Sequence, residues 1–99
     1  MIIRYKSKRL EKICTEPTEA KKKYGFRMAA EISDCIDDIQ AAESVEMMIK
    51  LGLHRCHPLH NNRFGQYAMD LIHPYRLIFE KDDEGKIHIV KIIEIVDYH

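Results

Sequence analysis

The chain has 99 residues, with 16 basic and 16 acidic side chains, so its formal net charge is zero. A chain of that length fits one domain, residues 1–99, with a modest core. Its 45% hydrophobic and 32% charged residues describe a globular protein rather than a disordered one. No apolar run approaches the roughly 20 residues of a bilayer-spanning helix, so no membrane partner is expected, and zero net charge argues against a protein that grips nucleic acid unaided.

Ile2-Ile3-Arg4-Tyr5 predicts a short first strand, and Met1 to Lys6 is too short and too polar for a signal peptide. Ser7 suits the N-cap of a short helix over Lys8 to Ile13. Pro17 or Thr18 opens a second helix, since proline is at home in a first turn and Glu16 and Glu19 favour a helix start. Met28, Ile32, Cys35, Ile36 and Ile39 recur at the spacing of a one-sided helix, with Glu31, Asp34, Asp37 and Asp38 on its outer face. Gly25 lies within this helical span and bends or breaks it. Ser44 caps a last helix, Val45 to Leu51, which Gly52 ends.

After Gly52 the period changes. Asn61-Asn62 with Gly65 marks a loop, Gln66 to Ile72 a strand, His73-Pro74 a turn and Tyr75 to Lys81 a second strand. Asp82-Asp83-Glu84-Gly85 reads as a hairpin tip. Ile87 to Val96, β-branched and apolar on both faces apart from His88, Lys91 and Glu94, reads as the central strand of an antiparallel sheet. A strand, two or three helices and then a run of strands indicate an α+β fold: helices packed on one face of the sheet, the other face left open to a substrate or partner.

The charge is uneven. Met1 to Arg27 holds nine Lys/Arg against three Glu, and Met28 to Lys50 six acids against one Lys. The basic third, with Lys21-Lys22-Lys23, is either a polyanion-attracting patch or a solvated helix face. The three cysteines Cys14, Cys35 and Cys56 are widely spaced in apolar settings and read as reduced and buried, which suits the cytoplasm.

Chemistry concentrates in the second half. His54, Cys56, His57 and His60 lie within seven residues, but their spacing fits no zinc finger or ribbon and no second pair follows. No metal or cofactor is expected, and there is no nucleophile elbow, P-loop, GxGxxG or CxxC. Histidine otherwise moves protons near neutral pH. RNA carries its own nucleophile, the 2′-hydroxyl, so cutting it needs only a base, an acid and cations around the phosphate. His57, His60 and His99 are candidates for the base and acid. Arg63 and Arg76 are candidates to hold the phosphate in a fork geometry. Tyr67 and Tyr98 are candidates to stack on bases or donate protons. Each has a purely structural alternative: Tyr67 as a strand core residue, Arg76 paired with Asp70 or Glu80, His73 as part of the turn, Cys56 as a small core residue.

His57-Pro58-Leu59, Arg63-x-Gly65-Gln66-Tyr67, Tyr75-Arg76-Leu77-Ile78-Phe79 and the ending Glu94-Ile95-Val96-Asp97-Tyr98-His99 resemble the RelE/ParE superfamily of bacterial toxins, in particular the HigB-type host-inhibition (plasmid maintenance killer) toxins. The resemblance runs over nearly the whole chain and is weakest in the N-terminal strand and helices. It implies a small α+β domain, a curved antiparallel sheet, cleavage of messenger RNA on the translating ribosome, and a cognate helix-turn-helix (HigA-like) antitoxin as partner. It implies catalytic roles for Asp97, Tyr98 and His99, with His99 as general acid or base, a place near the cleft for His57, and phosphate binding by Arg76. Two positions depart from such relatives: His60 where a Lys is often found, and Asp70 where some have an Arg. A ParE-like gyrase poison of the same fold, and an inactive antitoxin-binding module, are the alternatives.

Overall fold

The computed structural model describes residues 1–98. The chain runs β1 (Ile2–Tyr5), α1 (Lys8–Thr15), α2 (Pro17–Tyr24), α3 (Phe26–Ala41), α4 (Val45–Leu51), a short 3-10 turn (Leu53–Arg55), β2 (His57–Pro58), a second 3-10 turn (Asn61–Arg63), β3 (Gln66–Asp70), β4 (Tyr75–Lys81) and β5 (Ile89–Asp97). The caps act as expected. The Ser7 and Ser44 hydroxyls accept from Leu10 N and Met47 N, each at 3.1 Å, and Gly52 ends α4 in the left-handed region, at φ 67°. Gly25, at φ 90°, breaks the helical span outright, so four α-helices stand where two or three were expected.

The five strands form one sheet in the order β1-β5-β4-β3-β2. The expected antiparallel sheet is mixed: β1 joins β5 in parallel, Ile2 opposite Ile89 and Tyr5 opposite Ile92, and the remaining pairs are antiparallel. The direction of an edge strand is set by the route of the connecting helices, which apolar alternation does not encode. For the same reason β5 is interior but not central; β4 takes the middle.

Helices cover one face. Met28, Ile32, Cys35, Ile36 and Ile39 of α3 join Ile13 and Met48 in a core with Met69, Leu77, Phe79, Val90 and Ile92 of the sheet. The opposite face carries a smaller cluster, Leu59, Ala68 and Ile78 with Ile93 and Val96, which no helix residue enters. That face is open to solvent over only part of its extent, because Ala68 and Ile78 are fully buried.

A β-bulge connects this architecture to the site. Ile78 pairs with Glu94, but Phe79 pairs with Ile92, so Ile93 is an extra residue in β5. Alternation shifts by one there. Ile92 and Ile95 both pack toward the helices, while Ile93 and Val96 lie in the opposite cluster. An unbulged β5 would place Ile92, Val96 and Tyr98 on one face; the bulge turns the end of the strand toward the open face.

Candidate functional site

Arg76 on β4 anchors the open face. Its Nε lies 3.1 Å from Oδ1 of Asp70, its cross-strand partner on β3. Its guanidinium carbon lies 4.4 Å from the centroid of the Tyr98 ring. Tyr98 is tied down by its backbone N–H, which donates to Pro74 O at 2.9 Å. Asp70 is gripped from its other side by Arg55, which donates from Nε to Oδ2 at 2.7 Å and from Nη2 to Oδ1 at 3.4 Å. Burial alone would raise the Asp70 pKa, but the hydrogen bond from Arg55 and the positive charges of Arg55 and Arg76 prevail and hold it below its ordinary value. Two guanidiniums against one carboxylate leave the cluster with one positive charge. Arg55, Asp70, Arg76 and Tyr98 line a hollow of about 100 Å³ with His73 and Pro74.

Arg55 was not among the residues expected here. It sits in the histidine-rich stretch, where the sequence offers only ligand spacing to judge by. What aims it at Asp70 is the backbone: His54 and Arg55 both adopt positive φ, 48° and 52°. His54 holds this strained turn. Its ring, mostly buried, lies between two α3 carboxylates, Nδ1 at 3.0 Å from Glu31 Oε1 and Nε2 at 2.7 Å from Asp38 Oδ2. Glu31 and Asp38, expected on the solvent face of α3, are therefore turned to this clamp.

The four clustered residues 54, 56, 57 and 60 thus separate. His54 joins the clamp, Cys56 is buried in the helix-side core, His60 is exposed, and His57 lies on β2 opposite Ala68, on the open face. His57 Nδ1 lies 2.7 Å from Arg55 O, so Nδ1 donates and Nε2 carries the lone pair of the neutral ring. Two strand spacings and a two-residue offset separate His57 from Arg76, about 12 Å between backbones, which long side chains bridge from both ends.

Arg63 also reaches the open face. Its Nη1 donates to Gln66 Oε1 at 2.9 Å and its Nη2 lies 3.7 Å from Glu94 Oε1. Tyr67 does not: it lies opposite Phe79 and stacks on that ring at 5.3 Å, on the helix side, which is its structural alternative. Asp97 pairs with Tyr75, whose ring meets Tyr24 at 5.3 Å on the helix side, so the pleat separates Asp97 from Tyr98. His99 lies outside the described residues. Lys21, Lys22 and Lys23 fill the exposed last turn of α2, where positive charge suits the helix dipole, and this fits the solvated helix face. A larger groove of about 400 Å³, lined by Pro17, Phe26 and Ala29 between α2 and α3, has Lys21 as its only titratable group among the described residues.

No protein-family model matches the chain, and no curated protein matches it in sequence. Solved structures do match in fold. A YoeB/ParE toxin from Agrobacterium tumefaciens superposes with a TM-score of 0.68 at 15% identity, covering all of both chains. A YoeB–YefM complex from Staphylococcus aureus gives 0.64 at 20% identity, and a YoeB dimer from the same organism 0.63 at 20%; each covers all of this chain and 97% of the other. The arrangement of four helices on a five-stranded sheet is therefore the fold of the YoeB/ParE-type toxins.

Proposed function

We propose that this chain is the toxin of a type II toxin–antitoxin system, a ribosome-dependent endoribonuclease that cuts messenger RNA without a metal. The observation that carries this reading is Arg76, held between the Asp70 carboxylate and the Tyr98 ring at the rim of an open hollow. Arg76 and Arg55 face the phosphate. His57 Nε2 takes the proton of the 2′-hydroxyl as O2′ bonds to phosphorus. The P–O5′ bond breaks, and the leaving O5′ takes a proton from His99 or Tyr98. The products are a 2′,3′-cyclic phosphate and a 5′-hydroxyl end. Arg63 and His60 extend the RNA contact along the loop before β3. A cluster with one net positive charge on a neutral chain grips RNA weakly, which fits a substrate positioned by the ribosome in the cytoplasm. No helix among the described residues is long and apolar enough to cross a membrane.

The test is induced expression with transcript-end mapping, and purified protein on programmed ribosomes. Wild type stops growth and leaves new 5′-hydroxyl ends within translated codons. Arg76→Ala lowers the cleavage rate on ribosomes by about 10²- to 10³-fold, the usual effect of losing one charge-stabilising donor. His99→Ala abolishes growth inhibition while the far-ultraviolet dichroism is unchanged. Co-expression of the neighbouring helix-turn-helix protein restores growth. DNA breaks with intact transcripts would instead establish a gyrase poison, and harmless expression of wild type an inactive module.

A further inference from the structure

Phe64 is 85% exposed, more than Phe26 at 72% or any other large exposed hydrophobic side chain among the described residues. Full burial of a phenylalanine is worth roughly 1.5–3 kcal/mol, so this position forgoes a substantial gain. The exposure does not come from a loose loop. Leu59 N donates to Gln66 O at 2.9 Å across its base, and Arg63 N and Phe64 N donate to His60 O and Asn61 O at 3.1 and 3.0 Å. Asn61 at φ 58° and Gly65 at φ 93° make the bends that present residue 64. No ring or cation among the described residues contacts the Phe64 ring. The preceding residue, Arg63, ties the loop to the open face through Gln66 and Glu94. Glu94 lies two residues, about 7 Å, from Val96, the cross-strand partner of Arg76, so the Arg63 guanidinium reaches toward the arginine cluster, while Phe64 itself precedes Gln66, which is four strand residues or about 13 Å from Asp70.

We propose that Phe64 is a stacking platform for a nucleobase of the RNA strand that crosses this face, a few nucleotides along from the one whose phosphate Arg76 holds. The inference rests on the RNA-directed reading above. A rigid, exposed aromatic beside guanidinium groups is what a single strand requires: cations follow the backbone, and a π-face receives a base whatever its identity. The partner is a single-stranded RNA rather than an apolar protein surface because His60, Asn61, Asn62 and Arg63 share the loop with the ring.

The chain has no tryptophan, so Phe64→Trp introduces a single fluorescent reporter. At low salt, a short single-stranded RNA with methylated 2′-oxygens, which cannot be cut, quenches this indole saturably. An abasic strand of equal length and charge does not. By anisotropy of the labelled strand, Phe64→Ala binds the base-bearing RNA about tenfold or more weakly, Phe64→Tyr keeps most of the affinity, and affinity for the abasic strand is unchanged. Equal affinity of wild type and Phe64→Ala, no binding of the base-bearing strand by wild type, or an unquenched indole at saturating RNA overturns the proposal. So does an effect of Phe64→Ala confined to self-association or to binding of the neighbouring helix-turn-helix protein. Because the probe cannot be cut, quenching by a wild-type-like fold that never cleaves on ribosomes would sink the nuclease and leave the platform. Cleavage without quenching would sink the platform alone.

Discussion

Asp70 is the position where charge and geometry make the sharpest demand. If it positions Arg76, then Asp70→Ala and Arg76→Ala should not be independent in stability. Unit charges 3.1 Å apart attract by about 1.3 kcal/mol in water. Side-chain ordering and the partial exposure of both groups reduce this, so a double-mutant cycle should give a coupling of about 0.5–1 kcal/mol at low salt. Urea unfolding followed by far-ultraviolet dichroism resolves that difference as a midpoint shift of a few tenths molar to about 1 M. The coupling should shrink in 1 M salt, where charges are screened within about 3 Å. Its pH dependence has a definite sign. The folded-state pKa of Asp70 is depressed, so its contribution is fully present above the ordinary aspartate value of about 3.9 and is lost as pH falls through the lower folded value. A coupling below about 0.3 kcal/mol at low salt and neutral pH would refute the argument that Asp70 positions the guanidinium.

Burial raises the Cys56 thiol to about 11 and the Cys14 thiol to about 12, so the thiols' contribution to stability should be fully present below the ordinary thiol value near 8.5 and be lost as pH rises through 11 to 12; alkaline urea titrations check this, and a stability flat from neutral pH to pH 11 would contradict it. His54→Ala removes the partner of Glu31 and Asp38 and should cost about 2 kcal/mol in urea unfolding, and it should also weaken RNA binding in parallel with Arg55→Ala, since the turn that aims Arg55 loses its anchor. Tyr98→Phe keeps the ring beneath Arg76 and loses the hydroxyl. Unchanged substrate affinity with a lower cleavage rate would make Tyr98 a proton donor, and an unchanged rate would leave it a platform for the guanidinium.

The helical half was legible because its signals are local. Ser7, Ser44, Pro17 and Gly52 act within one turn of their own backbone, and the 3.6-residue period of α3 is a property of contiguous residues. The site was legible as a set of residue types, and Arg76 and Tyr98 do meet on the open face. Tyr67 misled because a strand position alone does not say which face it serves, and here the ring stacks on Phe79. Arg55 was missed because a left-handed turn at two residues other than glycine has no signature; it exists only because Glu31 and Asp38, from a distant helix, hold His54 in it.

The amino-acid sequence by itself determined the helix boundaries, the class of the fold and the supply of arginine, histidine and tyrosine near its end. Tertiary structure alone decided which of those side chains share a surface. Strand alternation has a period of two, so one inserted residue reverses every face that follows. The register between β4 and β5, set by packing Phe79 and Ile92 against the helices, makes Ile93 that residue. Cross-strand register is a relation between segments far apart in the chain, and no local period records it.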